Sequence, residues 1–285
     1  MMRNDLIQDL RHNFFYAEEE VDLYDDLVEL TQPLYWLLHS TIVDLLAYYF
    51  DASEGRSQNP GRPVILDAGC GTGAEGLAAL KTFPDVHLVA LDLSQRMLEK
   101  FREKLVRLCG LDSKQHRCRL VAADLLSPDT EPDKLLALLP AGAANGAYDV
   151  VVTAFTLHHF SLHEKRGLYR RFCSILKPGG LLVNGDLFAF ESPTLSRVAR
   201  HHEEHWIWKQ FTEPNPEYAA KAGGLGRRRL ELRDAWLKHL RDDNRPLPIE
   251  GDHVSGEADV LKEIGFSEVG CPFRYFQAGI LWARK

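Results

Sequence analysis

Between residues 64 and 190, short apolar runs alternate with stretches in which apolar positions recur at helical spacing, the pattern of βαβ units around a parallel sheet. It predicts strands at Val64–Asp67, Leu88–Leu91, Arg119–Ala122, Asp149–Ala154 and Leu181–Asp186. Helices are predicted over Glu75–Thr82, over Ser94–Leu108 with Ser94 as N-cap, and over Leu162–Leu176, ended by the Lys177-Pro178-Gly179-Gly180 turn.

The flanks read differently. Leu6, Leu10 and Phe14, then Leu34, Leu37, Leu38, Ile42, Leu45, Leu46 and Tyr49, form helical stripes, followed by a polar loop over Asp51–Pro63. Residues 191–250 are long-helical, rich in His, Trp and Arg, and broken by Pro214, Pro216, Gly223, Gly224 and Gly226. A helix over Ala258–Gly265 and two close strands, Ser267–Arg274 and Phe276–Arg284, then suggest an antiparallel hairpin. The expected organisation is a helical cap over 1–50, an α/β core over 51–190, a helical lid over 191–250, and a segment over 251–285 that completes the core.

Composition narrows the class. The 285 residues are 45% hydrophobic and 26% charged, the profile of a globular protein. The net charge of −7 resides in residues 1–30, which hold nine acids and two bases, so the remainder is neutral. A neutral body with an acidic N-terminus argues against a surface built to neutralise nucleic-acid phosphates. The five scattered cysteines include no C-x-x-C pair, so reduced thiols, a cytoplasmic location and no bound metal are expected. The most apolar stretch, Leu34–Phe50, falls short of the ~20 residues of a membrane span, and no apolar signal segment opens the chain.

Candidate chemistry centres on Asp67-Ala68-Gly69-Cys70-Gly71-Thr72-Gly73, where a strand runs into a helix. Alternating glycines permit a tight turn and close approach of a ligand to the main chain. Gly71, Gly73 and Gly76 also satisfy the dinucleotide pattern G-x-G-x-x-G, so the loop alone does not name its ligand. Asp92 ends the second strand, where a carboxylate accepts from ribose hydroxyls of either a nicotinamide cofactor or S-adenosylmethionine (SAM). Asp124 follows the third strand, placed to accept from an adenine amine. Asp67 stands where it would repel a pyrophosphate and attract a ligand amine.

With these residues in view, the chain resembles the class I SAM-dependent methyltransferases. Five stretches in order carry the resemblance: VILDAGCGTG (64–73), VALDLSQRML (89–98), AADL (122–125), YDVVVTAFTLHHF (148–160) and ILKPGGLLVNGD (175–186). It implies a Rossmann-like α/β fold with a seven-stranded, mostly parallel sheet and an antiparallel C-terminal hairpin. It implies SAM as cofactor, with Asp67, Gly69, Gly71 and Gly73 around its methionine part, Asp92 and Leu93 at the ribose, and Asp124 and Leu125 at the adenine. Tyr16 and Tyr24 resemble aromatic residues that cap the pocket in relatives.

The acceptor is less legible, because methyl transfer mainly requires alignment. The fourth strand ends in Thr153-Ala154-Phe155-Thr156-Leu157-His158-His159-Phe160, without the Asn/Asp-Pro-Pro-aromatic signature of many base-modifying enzymes. Within the family a Leu-His-His of this kind favours a small-molecule acceptor. His159 or His158 is a candidate general base, and Asp186 a candidate for orienting the acceptor. His201-His202-Glu203-Glu204-His205 formally matches a zinc-peptidase pattern, but no third ligand is placed; His205 beside Trp206, Trp208 and Phe211 is an alternative base. The Arg227-Arg228-Arg229 run is the one feature favouring RNA. Competing readings are an RNA methyltransferase, an enzyme using a modified SAM, a nicotinamide-dependent oxidoreductase and a non-catalytic SAM-binding protein. A homodimer is a candidate assembly, and a membrane partner is not expected.

Overall fold

The computed structural model describes residues 21–51, 62–109, 117–141, 143, 147–213, 216, 219, 222–223, 228–241 and 253–285. These residues fall into two compact units, one drawn from 1–36 and 191–246, the other from 37–190 and 247–285.

The smaller unit is helical. It contains α1 (Tyr24–Thr31) and the first two residues of α2 (Tyr35–Asp51). It closes around Leu27, Leu30, Ile207, Phe211, Leu232 and Trp236. The Trp206 indole N–H donates to the Leu30 carbonyl at 3.1 Å, which satisfies the one polar atom of an otherwise apolar side chain. The stripe at Leu6, Leu10 and Phe14 lies outside the described residues.

The larger unit begins within α2, not at the loop after it as the expected boundary at residue 50 had it. Leu38, Ile42, Leu46 and Tyr49 of α2 pack against the sheet, so most of this helix belongs to the α/β core. Seven strands follow the order β3-β2-β1-β4-β5-β7-β6. In chain order the elements are β1 (Val64–Ala68), α3 (Ala74–Thr82), β2 (His87–Asp92), α4 (Gln95–Cys109), β3 (Cys118–Ala122), α5 (Pro132–Leu136), β4 (Tyr148–Ala154), α6 (Leu162–Ile175) and β5 (Leu176–Leu187). After α7 (Pro193–Thr212) and α8 (Arg228–Arg241) of the helical unit come α9 (Val254–Ile264), β6 (Glu268–Tyr275) and β7 (Ala278–Arg284). Strands β1 to β5 are mutually parallel, and β7 runs antiparallel to both β5 and β6, as the closing hairpin implied.

Helices cover both faces, which is why the central strands read as unbroken apolar runs. Along β1, Val64, Leu66 and Ala68 face a core shared with Leu168, Phe172 and Leu261, while Ile65 faces Ile42, Leu80 and Phe101. Two helix starts follow from their caps. Ser94 Oγ accepts from Met97 N at 3.3 Å, and Ser161 with Glu164 forms a reciprocal capping box at the head of α6. Strand β5 is longer than its apolar run, since Leu176 already pairs with Tyr148 and the Lys-Pro-Gly-Gly stretch is absorbed as an irregularity in the ladder.

Candidate active site

The carboxyl ends of β1, β2, β4 and β5 assemble the site. Gly69, Gly71 and Gly73 all have positive φ (79°, 51° and 88°), a region that side chains rarely adopt. Gly69 is also fixed by space, because a Cβ there would lie 2.3 Å from the Thr156 methyl. Thr156 Oγ1 donates to the Gly69 carbonyl at 3.0 Å, which joins the loop after β4 to the glycine loop. Gly73 has the same constraint from Phe101, 2.5 Å from its missing Cβ. At Gly71 nothing lies within 4 Å of such a Cβ, so the middle of the loop is open to a ligand.

Asp92 braces this loop. Its Oδ2 accepts from Gly71 N and its Oδ1 from Ser94 N, both at 2.8 Å. Two of the roughly four acceptor positions of a carboxylate are thus taken, leaving capacity for a ribose. Burial raises its pKa against those two hydrogen bonds. Leu93 beside it is exposed. The Ala123 N–H donates to the Asp92 carbonyl at 2.9 Å, which places the start of the Asp124 turn next to Asp92. Asp124 Oδ1 accepts from Leu126 N at 2.8 Å, while the Leu125 side chain is buried and its carbonyl takes Thr130 and Arg171.

Asp67 is 0% exposed, and no side chain among the described residues donates a hydrogen bond to its enclosed carboxylate, which has only the Gly76 backbone N–H beside it. Burial pushes its pKa well above the usual range, and the charges of Glu75 and Asp92 add to this. Glu75 opens α3 and contacts the buried ring of His39 on α2. A carboxylate with unused acceptor capacity among neighbouring acids suits a ligand carrying cationic and N–H donor groups, as SAM does, and disfavours a pyrophosphate.

The second half of the site lies after β4 and β5. Leu157–His159 forms a short 3-10 turn. It is His158, not His159, whose Nδ1 meets Asp186 Oδ1, at 2.6 Å, and the His158 backbone N–H donates to Asp186 Oδ2 at 2.9 Å. Asp186 is 1% exposed. Burial alone would raise its pKa, but the charge and hydrogen bond of His158, Lys165, and the Leu187 N–H at 2.8 Å hold it below the ordinary carboxylate value. His159 is pushed down to about 3 by burial and by His158, which keeps its ring neutral. Behind Asp186, buried Lys165 pairs with Glu257 at 2.7 Å, Tyr169 donates to Glu257, and Asn184 donates to the Tyr169 hydroxyl at 3.2 Å. This network carried no signal in the sequence, since Lys165 reads as one charge among several on an amphipathic helix.

Among the remaining candidates, half-buried Tyr24 opens α1 and exposed His205 lies on α7, both in the helical unit. Tyr16 and Arg227 lie outside the described residues.

Comparison with known proteins places this site among similar folds. A family model described as a methyltransferase domain matches residues 66–182. The carboxy-S-adenosyl-L-methionine synthase of Helicobacter pylori (strain Shi470) is 24% identical over 279 residues, 98% of this chain and 97% of that protein. The enzyme of the same name from Citrifermentans bemidjiense is 26% identical over 198 residues, 67% of this chain and 69% of that protein. Among solved structures, an O-methyltransferase family protein from Burkholderia thailandensis superposes with a TM-score of 0.54 at 16% identity, covering 97% of this chain and 62% of that one. Magnesium protoporphyrin IX methyltransferase from Synechocystis PCC 6803 with bound SAH superposes with a TM-score of 0.50 at 17% identity over 96% of both chains. Over residues 66–182 the chain thus matches a methyltransferase domain, and its sheet order agrees with the Rossmann-like fold of the solved methyltransferases above.

Proposed function

We propose that the protein transfers the methyl group of SAM to an oxygen, nitrogen or carbon nucleophile of a small molecule, with His158 as proton acceptor. The observation that carries this reading is the His158–Asp186 pair at 2.6 Å, set two residues beyond the Thr156 that is bonded to the glycine loop. SAM supplies a methyl group already activated on a sulfonium. Alignment and removal of one acceptor proton are then the tasks left to the protein. Gly69 to Gly73 and Asp92 hold the cofactor, and Asp67 adds negative charge beneath it. The buried Asp186 fixes the imidazole through Nδ1, which leaves Nε2 to take the proton, and stabilises the imidazolium that results.

The test uses S-adenosylhomocysteine release with a panel of hydroxylated and amino acceptors. His158→Asn is expected to lower kcat by about 10²- to 10³-fold, with SAM affinity unchanged. An unaltered kcat overturns the base assignment.

The names of the relatives favour a second reading, in which the nucleoside handled carries an additional carboxyl group. Mass analysis of the nucleoside released on denaturing freshly purified protein separates the two: SAM or S-adenosylhomocysteine supports the first, carboxy-SAM the second.

A further inference from the structure

Strand register places Asp186, Gly279 and Arg274 side by side across β5, β7 and β6. Directly paired residues point to the same face, so Arg274 shares a face with Asp186, two strand spacings or roughly 10 Å away. Gly279 lets the arginine cross the strand between them, since a Cβ there would lie 3.2 Å from both Arg274 Cδ and the Phe188 ring.

The crossing brings the guanidinium to the end of β5, where Nη2 donates to the Phe188 carbonyl at 3.0 Å and the Ala189 carbonyl at 3.3 Å. The rings of Phe188 and Phe190 lie 5.5 and 4.9 Å from its central carbon. Two features are left over. Nη1 is buried without a hydrogen-bond partner, and among the described residues no carboxylate pairs with this cation. His253, bridged to the same Ala189, also has a buried Nδ1 without a partner. A guanidinium held against two aromatic rings with no counter-charge is costly unless an anion completes it, and its planar fork matches a carboxylate.

We infer that Arg274 anchors a carboxylate of the small-molecule ligand, with the half-buried Phe190 contacting the apolar part beside it. The inference rests on the SAM-dependent transfer proposed above and specifies its ligand class. The carboxylate belongs either to the methyl acceptor or to the extra carboxyl of carboxy-SAM.

Calorimetry distinguishes these sources. One arm titrates 4-hydroxybenzoate and its methyl ester into protein saturated with S-adenosylhomocysteine; the other titrates SAM and carboxy-SAM. For an acceptor carboxylate, 4-hydroxybenzoate binds, its ester does not, and Arg274→Gln weakens the acid at least tenfold with SAM affinity unchanged. For a donor carboxylate, Arg274→Gln weakens carboxy-SAM at least tenfold relative to SAM. Arg274→Lys, which keeps the charge and loses the fork, is expected to fall between wild type and Gln in either arm, and guards against a folding defect in the first variant. The inference is overturned if neither arm shows a selective loss while SAM still binds. If SAM itself does not bind, the functional reading fails first.

Discussion

Asp67 illustrates how a single residue trades stability for binding. Its carboxylate is fully buried, and burial, Glu75 and Asp92 raise its pKa against the Gly76 backbone N–H. An acid whose folded pKa lies above its unfolded value destabilises the fold as pH rises, because the unfolded chain releases the proton more readily. Asp67→Asn is therefore expected to raise the melting temperature of the ligand-free protein at neutral pH and to weaken SAM at least tenfold. A cation bound over Asp67 favours the ionised form, so SAM binding should release a proton, measurable as a dependence of calorimetric enthalpy on buffer ionisation. Asp186 has the opposite sign. Its pKa is held low, so its contribution is complete above about pH 4, the unfolded carboxylate range, and is lost as pH falls through the folded value. Melts of Asp186→Asn between about pH 5 and pH 2 should show a flatter acid limb than wild type.

At the scale of elements, the loop after β1 and the turn after β4 are one device. Gly69→Ala meets both a positive φ and the Thr156 side chain, so it should destabilise the protein by more than about 1 kcal/mol and disturb cofactor binding. Thr156→Ala in the same chain removes the two closest contacts but leaves its own Cβ at 2.8 Å and the dihedral cost, and partial recovery of the melting temperature is the expected result. The pair joining α6 to α9 is buried on both sides, Lys165 1% and Glu257 0% exposed. Lys165→Met leaves Glu257 buried with the Tyr169 hydroxyl alone, at a cost of about 3–5 kcal/mol in denaturant unfolding. The elements themselves were legible where burial on both faces makes a strand continuously apolar, as in β1 and β4, and where serine caps announce a helix. The extent of β5 was not, because its first residues pair through the backbone across a Pro-Gly-Gly stretch that reads locally as a turn.

For the molecule as a whole, ligand linkage offers the broadest check. SAM at about 100 times its Kd should stabilise the protein by about 2.7 kcal/mol, a shift on the order of 5 °C, and NAD should give none. No described helix is long and apolar enough to cross a membrane. The sequence by itself determined the parallel sheet, the glycine loop and the acids that follow β1, β2 and β3, because these depend on local requirements: apolar runs, positive φ, and carboxylates at strand ends. It also singled out Asp186. Only the tertiary structure decided that His158 turns toward Asp186 while its neighbour His159 does not, since a one-residue choice within a short 3-10 turn depends on where another strand ends. The same holds for the division of α2 between two units, which periodicity along one helix does not encode. Arg274 went unnoticed for a similar reason. Its significance comes from a missing side chain on β7 and two carbonyls beyond β5, partners separated from it in sequence and joined only by strand register.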